Sequence, residues 1–287
     1  MTETTLIQDA WDHHSQSLRE EEGPKPTAAG TLMRVSDTGS CLRQRGFAAA
    51  GIPECEEIDG PTLLAFQLGT SIHESLQAAV ARVWPDAEIE TPIDLRSTGV
   101  SLSGHTDGVI DVDGGIVLEF KTVGSWAAKN VWLNGPKREH VAQAALYAMG
   151  VEAEAVLMVY VAKEKAWASK ELPSGIAPGD MREWLLPMHQ ADYRLGDLSP
   201  YELAQQELEW FAEVEQSVKE GFLPRAQAPN DDGDLEFVEY PGPYGVQSKG
   251  GYWGCRYCRH NQTCAQVGPA AVELEVAIKM RESFNDQ

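Results

Sequence analysis

Asp107, Glu119 and Lys121 are the residues whose types and spacing point most directly to catalysis. Glu119 and Lys121 stand two apart in Leu118-Glu119-Phe120-Lys121, part of an apolar stretch that reads as a strand. Alternate residues of a strand share a face, so carboxylate and ammonium point the same way while Phe120 points to a core. Asp107 lies upstream in Gly104-His105-Thr106-Asp107-Gly108, which reads as part of the preceding strand. A hairpin between the two strands lets Asp107 approach Glu119. Two carboxylates form an oxygen site for a hard cation such as Mg²⁺ or Mn²⁺. Such a cation lowers the pKa of a bound water and offsets charge on a phosphorane-like transition state. The lysine can orient or help deprotonate that water and can contact the phosphate. By itself, Glu-X-Lys also suits a solvated strand face with cross-strand ion pairs.

The cysteines form a second constellation. Cys255-Arg256-Tyr257-Cys258 is a Cys-X₂-Cys knuckle, and Cys264 follows after five residues. The chain has five cysteines, an odd number, and residues 1–12 are polar and do not read as a signal peptide. Both features argue against a disulfide framework. Thiolates this close hold Zn²⁺ or an iron–sulfur cluster. Three ligands call for a fourth, which Cys41, Cys55 or His260 could supply.

These residues need elements to position them. Residues 61–83 carry Leu64, Leu68, Ile72, Leu76 and Val80 at helical spacing, with His73 and Glu74 on the same helix. Residues 88–96, 101–112 and 115–121 read as three strands, with Asp113-Gly114 as a hairpin turn. Residues 138–149 are Ala-rich and helical, which places Gln143 and Tyr147 on one face at i, i+4. Residues 155–161 read as a buried strand, with 167–172 hairpinned onto it. A long amphipathic helix covers 201–220 and ends at 221–224; 225–253 look irregular, and 272–283 read as a last helix. The order helix, three strands, helix, strand predicts an α/β fold: a mixed sheet flanked by helices.

The sequence resembles the PD-(D/E)XK nuclease superfamily, and its RecB-like branch in particular. That branch adds Gly-X-X-X-His on a helix before the strands, matched by Gly69-Thr70-Ser71-Ile72-His73. It adds a Gln and a Tyr on the helix after the lysine, matched by Gln143-Ala144-Ala145-Leu146-Tyr147. The resemblance implies a restriction-endonuclease-like core. It implies that His73, Asp107, Glu119 and the backbone carbonyl of Phe120 are metal ligands and that Lys121 is the catalytic lysine. Gln143 and Tyr147 would position the lysine and the DNA. Glu74 reads as a solvated helix residue.

The cysteine pattern is similar to that of CRISPR-associated RecB-like exonucleases, stand-alone phage-type homologues included, and of AddB-type helicase–nucleases. These carry one Cys before the nuclease core and three after it as Cys-X₂-Cys-X₅-Cys. The resemblance therefore implies a [4Fe–4S] cluster on Cys41, Cys255, Cys258 and Cys264, with Cys55 a spare thiol. It divides the chain into a polar segment 1–28, a nuclease core 61–224, and an iron–sulfur lobe built from 29–60 and from 225–287, which also holds the terminal helix.

The net charge is −21, so phosphate attraction must be local. Cations near the motifs include Arg34, Arg43 and Arg45, Lys129, Lys137 and Arg138, Lys163 and Lys165, and Arg256 and Arg259. Trp126, Trp132, Trp167, Tyr252, Trp253 and Tyr257 lie among them, a mixture suited to single-stranded nucleic acid. A narrow basic channel is expected. No run approaches the roughly 20 apolar residues that span a bilayer, and the expected location is the cytoplasm. The reading is a metal-dependent DNA exonuclease acting on single strands or free ends from 5′ termini, with endonuclease activity as well. Two alternatives stand beside it. One is a DNA-end-trimming subunit of a recombination or CRISPR spacer-acquisition machine, working with a protein partner or as a homo-oligomer. The other is a non-catalytic iron–sulfur protein that binds DNA ends.

Overall fold

The structure, a computed structural model, describes residues 33–54, 60–230, 233–238, 254–255, 258–268 and 270–283. The strands are β1 (Met33–Arg34), β2 (Glu88–Ile89), β3 (Pro92–Asp94), β4 (Leu102–His105), β5 (Gly108–Ile110), β6 (Ile116–Val123), β7 (Ala155–Ala162), β8 (Met181–Pro187), β9 (Phe222–Leu223), β10 (Gln227–Pro229), β11 (Leu235–Phe237) and β12 (Val272–Glu273). The helices are α1 (Leu42–Ala49), α2 (Gly60–Val83), α3 (Ser125–Asn134), α4 (Arg138–Val151), α5 (Pro200–Lys219), α6 (Asn261–Val267) and α7 (Leu274–Glu282).

A mixed sheet in the order β2-β5-β6-β7-β8 is the centre of the molecule. Its β6–β7 pair is parallel and the other pairs are antiparallel. A parallel pair requires a crossover, which α3 and α4 supply. Helix α4 lies on the sheet through Ala142, Ala144, Ala145 and Ala148, all buried, whose small side chains permit close approach. Val117, Met158 and Tyr160 share that core with Val141 and Leu146. On the other face Leu118, Phe120 and Val159 meet Leu76 and Val80 of α2. The alternation along β6 thus sends Glu119 and Lys121 to the α4 side and Phe120 to the α2 side. Helix α5 opens with a capping box between Ser199 and Glu202, with Pro200 following the cap, and buries Leu203, Phe211 and Val214.

Segments from either side of the sheet in sequence meet. The buried Arg43 side chain of α1 donates from Nε to the Pro224 carbonyl, from Nη2 to the Ala270 carbonyl and from Nη1 to Gly268 O at 3.1 Å. Phe47 and Ile52 pack against Leu223 and Ala277, and β9 pairs antiparallel with β12.

Several expected elements differ. Residues 88–96 break at Glu90, which takes φ 52°, so β2 joins the five-stranded sheet and β3 a separate sheet of order β1-β4-β3. Residues 101–112 divide in the same way into β4 and β5, and Asp107 lies between them rather than within a strand. The predicted 167–172 strand is absent; Ala166 and Ile176 form an isolated bridge, and the strand hairpinned onto β7 is β8. The 272–283 segment begins as β12 before α7. Helix α3 was not expected; its first amide, Ser125 N–H, is taken by the distant Glu164 carboxylate at 3.1 Å.

Candidate active site

The site is built where α2, the β4–β5 junction, β6 and α4 meet. Asp107 is fixed from three sides. The Phe120 backbone N–H donates to Oδ2 at 2.6 Å, and His73 Nδ1 lies 3.0 Å from Oδ1. Gln77, one turn beyond His73 on α2, donates from Nε2 to the Asp107 carbonyl at 3.1 Å and to Glu90 Oε1 at 2.7 Å. The break in the strand therefore has a cause. Leaving the ladder at Thr106–Asp107 frees the Asp107 carboxylate to reach β6, and Gln77 takes up the backbone carbonyl so exposed. His73 also meets the Phe120 ring edge-on, with centroids 5.9 Å apart.

Glu119 is buried, and Lys121 Nζ lies 2.7 Å from its Oε1. The same ammonium donates to Gln143 Oε1 at 2.8 Å. That bond orients the Gln143 amide, whose Nε2 donates to the Tyr147 hydroxyl at 3.1 Å. The Tyr147 ring in turn covers Gly104 of β4, where a Cβ would stand 2.7 Å from Tyr147 Cε1. Lys121 is thus held by two acceptors, one of them braced through a tyrosine on a glycine.

The electrostatics follow from burial. Loss of water pushes the Glu119 carboxyl up to about 7; Lys121 pulls against this and Asp107 adds to it. Burial pulls the His73 ring down, but the hydrogen bond and charge of Asp107, with Glu119, leave it raised overall. Burial also raises Tyr147, which stays a neutral phenol. A carboxylate pair beside an imidazole is a donor set that suits a divalent cation, whose charge would offset the cost of keeping Glu119 ionised in the interior. His73 Nδ1 and Asp107 Oδ1 are hydrogen-bonded to each other, so a cation held by this pair would take the place of the proton between them. Among the described residues no cluster of three or more His, Cys, Asp or Glu is drawn tightly enough to hold a single metal ion as it stands.

A neighbouring pair was not foreseen. Tyr160 is the β7 partner of Lys121 in the sheet. Its hydroxyl accepts the Lys137 N–H at 3.1 Å and lies 2.8 Å from His140 Nδ1. A hydroxyl has one hydrogen and two lone pairs, so it can serve the Lys137 amide and His140 Nδ1 together. Burial, with Lys121 and Lys137 nearby, drives the His140 pKa well down, so the ring is neutral. Position 140 precedes Gln143 by three residues on α4, a helical-face relation that was the available signal. Gln77 bears the same relation to His73, at i+4.

The cysteines form a separate cavity. Cys41, Cys255, Cys258 and Cys264 line one space of about 460 Å³, mouth included, with Phe47, Ala226 and Val238 among its walls. Burial and the other three thiols push Cys255 up to about 12, and burial raises Cys41. The guanidinium of Arg43 faces Cys41 and Cys264. His260 is buried and stacks on Phe47 at 4.7 Å, a packing role. Cys55, Arg256, Tyr257, Tyr252 and Trp253 lie outside the described residues.

Two of the cations expected in a basic channel are corrected. Arg43 and Arg45 are both buried: the first serves backbone carbonyls, and the second pairs with Glu207 at 2.7 Å and lies over the Phe211 ring. Glu74 is exposed, as expected of a solvated helix residue. No described helix is long and apolar enough to cross a membrane.

Residues 63–265 match the family model of the PD-(D/E)XK nuclease superfamily. No curated protein matches the chain. Among solved structures, that of SSO0001 aligns with a TM-score of 0.46 at 16% sequence identity, covering 89% of this chain and 94% of that one.

Proposed function

Because the chain belongs to the PD-(D/E)XK nuclease superfamily, we propose that it is a metal-dependent DNA exonuclease, hydrolysing phosphodiester bonds of single strands from 5′ ends and able to cut internally. The observation that carries this is the Lys121 ammonium, 2.7 Å from Glu119 and 2.8 Å from Gln143, beside the His73–Asp107 pair. His73, Asp107, Glu119 and the Phe120 carbonyl would hold Mg²⁺ or Mn²⁺. When bound, the cation supplies an acidified water and charge stabilisation at the phosphate. Lys121 would orient that water and contact a phosphate oxygen. Gln143, braced by Tyr147, keeps the lysine from collapsing wholly onto Glu119. Asp107 is held in its rotamer by the Phe120 amide, so little reorganisation is needed on reaction.

The thiol cavity is assigned a [4Fe–4S] cluster. Four thiolates on one Zn²⁺ converge on a point at about 2.3 Å. The thiols here surround a space instead, which suits a cluster that spreads its ligands over several irons. A cluster there would need its thiols deprotonated, against the burial and crowding that raise Cys41 and Cys255, and the Arg43 guanidinium is the cation beside them that would offset this charge. The cluster's role is to hold the N-terminal and C-terminal segments together. A second reading, an end-trimming subunit working with a basic protein, draws on the net charge of −21.

The test is degradation of end-labelled single strands with Mn²⁺ by the wild type and by Lys121→Ala. Cleavage by the first and not the second is expected. Equal cleavage, or none by either on any nucleic acid, would overturn the nuclease reading. Anaerobically purified protein should be brown and carry iron; a colourless, zinc-loaded protein would remove the cluster.

A further inference from the structure

Two tryptophans stand out from the fold just beyond the ends of β6, which carries Lys121, and of its parallel partner β7. Trp126 is 77% exposed and Trp167 is 71% exposed, although indoles are mostly buried in folded proteins. Neither is a stray surface residue. Trp126 follows Ser125, whose N–H is held by Glu164 at 3.1 Å. Trp167 follows Ala166, which is buried and exchanges two backbone hydrogen bonds of 2.9 Å with Ile176. Gly175 lies directly behind, at φ +67°, where a Cβ would stand 2.7 Å from the Ala166 carbonyl. The loop is closed tightly and turns the indole outward. Lys165 places its ammonium 3.8 Å from the Trp167 ring centroid.

Both loops leave the same rim. Val123 and Ala162 are register partners at the ends of β6 and β7, and Lys163 N–H donates to Val123 O at 3.0 Å. Lys121 lies two residues before Val123, about 7 Å along the strand. An indole with a cation over it offers a base a stacking face and the neighbouring phosphate a charge, without regard to sequence. On a body of net charge −21, stacking can supply affinity that a basic face cannot. The Glu164 carboxylate between the two loops disfavours phosphate there, so bases rather than backbone face the rings.

We propose that Trp126 and Trp167, with Lys165, form a stacking rim for unpaired nucleobases beside the scissile phosphate, which makes single-stranded DNA the substrate class. This rests on the nuclease reading for its setting, but its test does not require cleavage. Full-length Lys121→Ala protein with Mg²⁺ is titrated against a labelled oligothymidylate and an abasic strand of equal length. The oligothymidylate should bind roughly tenfold tighter. Trp126→Ala and Trp167→Ala should each remove most of that difference and Trp167→Phe should keep it. The tryptophan changes should leave the salt dependence alone, whereas Lys165→Ala should make it shallower. Equal binding of the two strands, or unchanged oligothymidylate affinity in the tryptophan variants, would overturn the rim. If the base-dependent binding holds while the wild type cuts no nucleic acid, the nuclease reading falls and the rim stands.

Discussion

Lys121 is shared between a carboxylate at 2.7 Å and an amide oxygen at 2.8 Å, and the two partners do different work. In the proposed nuclease Glu119 would bind the cation, whereas Gln143 would position the lysine. Lys121→Ala should therefore lower cleavage by about 10²–10³-fold with the fold intact, as for loss of one preorganised group in a catalytic site; Gln143→Ala should lower it less, by about tenfold, and Gln143→Glu should not restore it. Cleavage rates beside circular dichroism decide this, and a Gln143→Ala loss as large as that of Lys121→Ala would make Gln143 more than a brace. Glu119 carries a pH consequence. Its folded pKa of about 7 lies above the ordinary 4.5, so the folded state holds the proton more tightly than the unfolded one. The stability this contributes is present below 4.5 and is lost as pH rises through about 7. Glu119→Gln mimics the protonated form, so in chelator its melting temperature should exceed the parent's by a margin that widens across that window; a margin independent of pH would contradict the burial argument. Strand and helix periods place Glu119 with Lys121 and Gln143 with Tyr147 on shared faces, and the family resemblance implied that the second pair belongs beside the first. Gln77 and His140 share helix faces with His73 and Gln143, which was a signal, but that they meet the Asp107 carbonyl and Tyr160 is set only by the fold.

At the scale of elements, the informative departure is the pair of broken strands. Residues 103–108 carry no large apolar side chain, so no hydrophobic period marks the point where the chain leaves one sheet for another. The break is imposed by non-local bonds: Thr106 N–H donates to Thr91 O at 3.0 Å, and the Asp107 carboxylate turns to the Phe120 amide. Helix α3 and strand β8 were missed for a related reason. The first is capped by Glu164, and the second is an edge strand with only Trp184 and Leu186 buried. Strand β4, in turn, carries the glycine on which the brace rests. Gly104→Ala would push a methyl into the Tyr147 ring, and because Tyr147 is buried it cannot swing clear. The expected cost is about 1–3 kcal/mol of stability. Cleavage should fall together with it, through displacement of Gln143 and Lys121. The double variant Gly104→Ala with Tyr147→Phe relieves only the hydroxyl contact, at 3.3 Å, so it should recover little. Denaturant melts and cleavage rates measure both, and Gly104→Ala at parental stability would show that the ring is not held against β4.

Across the whole molecule, the chain is closed by contacts between segments far apart in sequence, and Arg43 is the centre of that closure. The family resemblance of the cysteine pattern implied a junction between the N-terminal and C-terminal segments, but the charge pattern placed Arg43 in a DNA channel. The sequence could not show that the guanidinium turns inward, because its acceptors are backbone carbonyls of Pro224, Gly268 and Ala270, which leave no mark on residue type. A planar fork can serve three carbonyls at once; a lysine ammonium on a flexible stem cannot reach the same set. Arg43→Met leaves buried carbonyls unsatisfied at about 1–3 kcal/mol each, and Arg43→Lys should rescue only part of that loss. Because Arg43 also faces Cys41 and Cys264, its removal takes away the cation beside the thiols as well as the tie. The junction should therefore loosen before the core does. Limited proteolysis of Arg43→Met should cut first between α5 and α7, and the iron content of the proposed cluster should drop with it, while the sheet carrying Glu119 and Lys121 keeps its protection from hydrogen exchange. An Arg43→Met protein with parental protease resistance and iron content would place the closure elsewhere, on the β9–β12 pair and the Phe47–Ala277 packing alone.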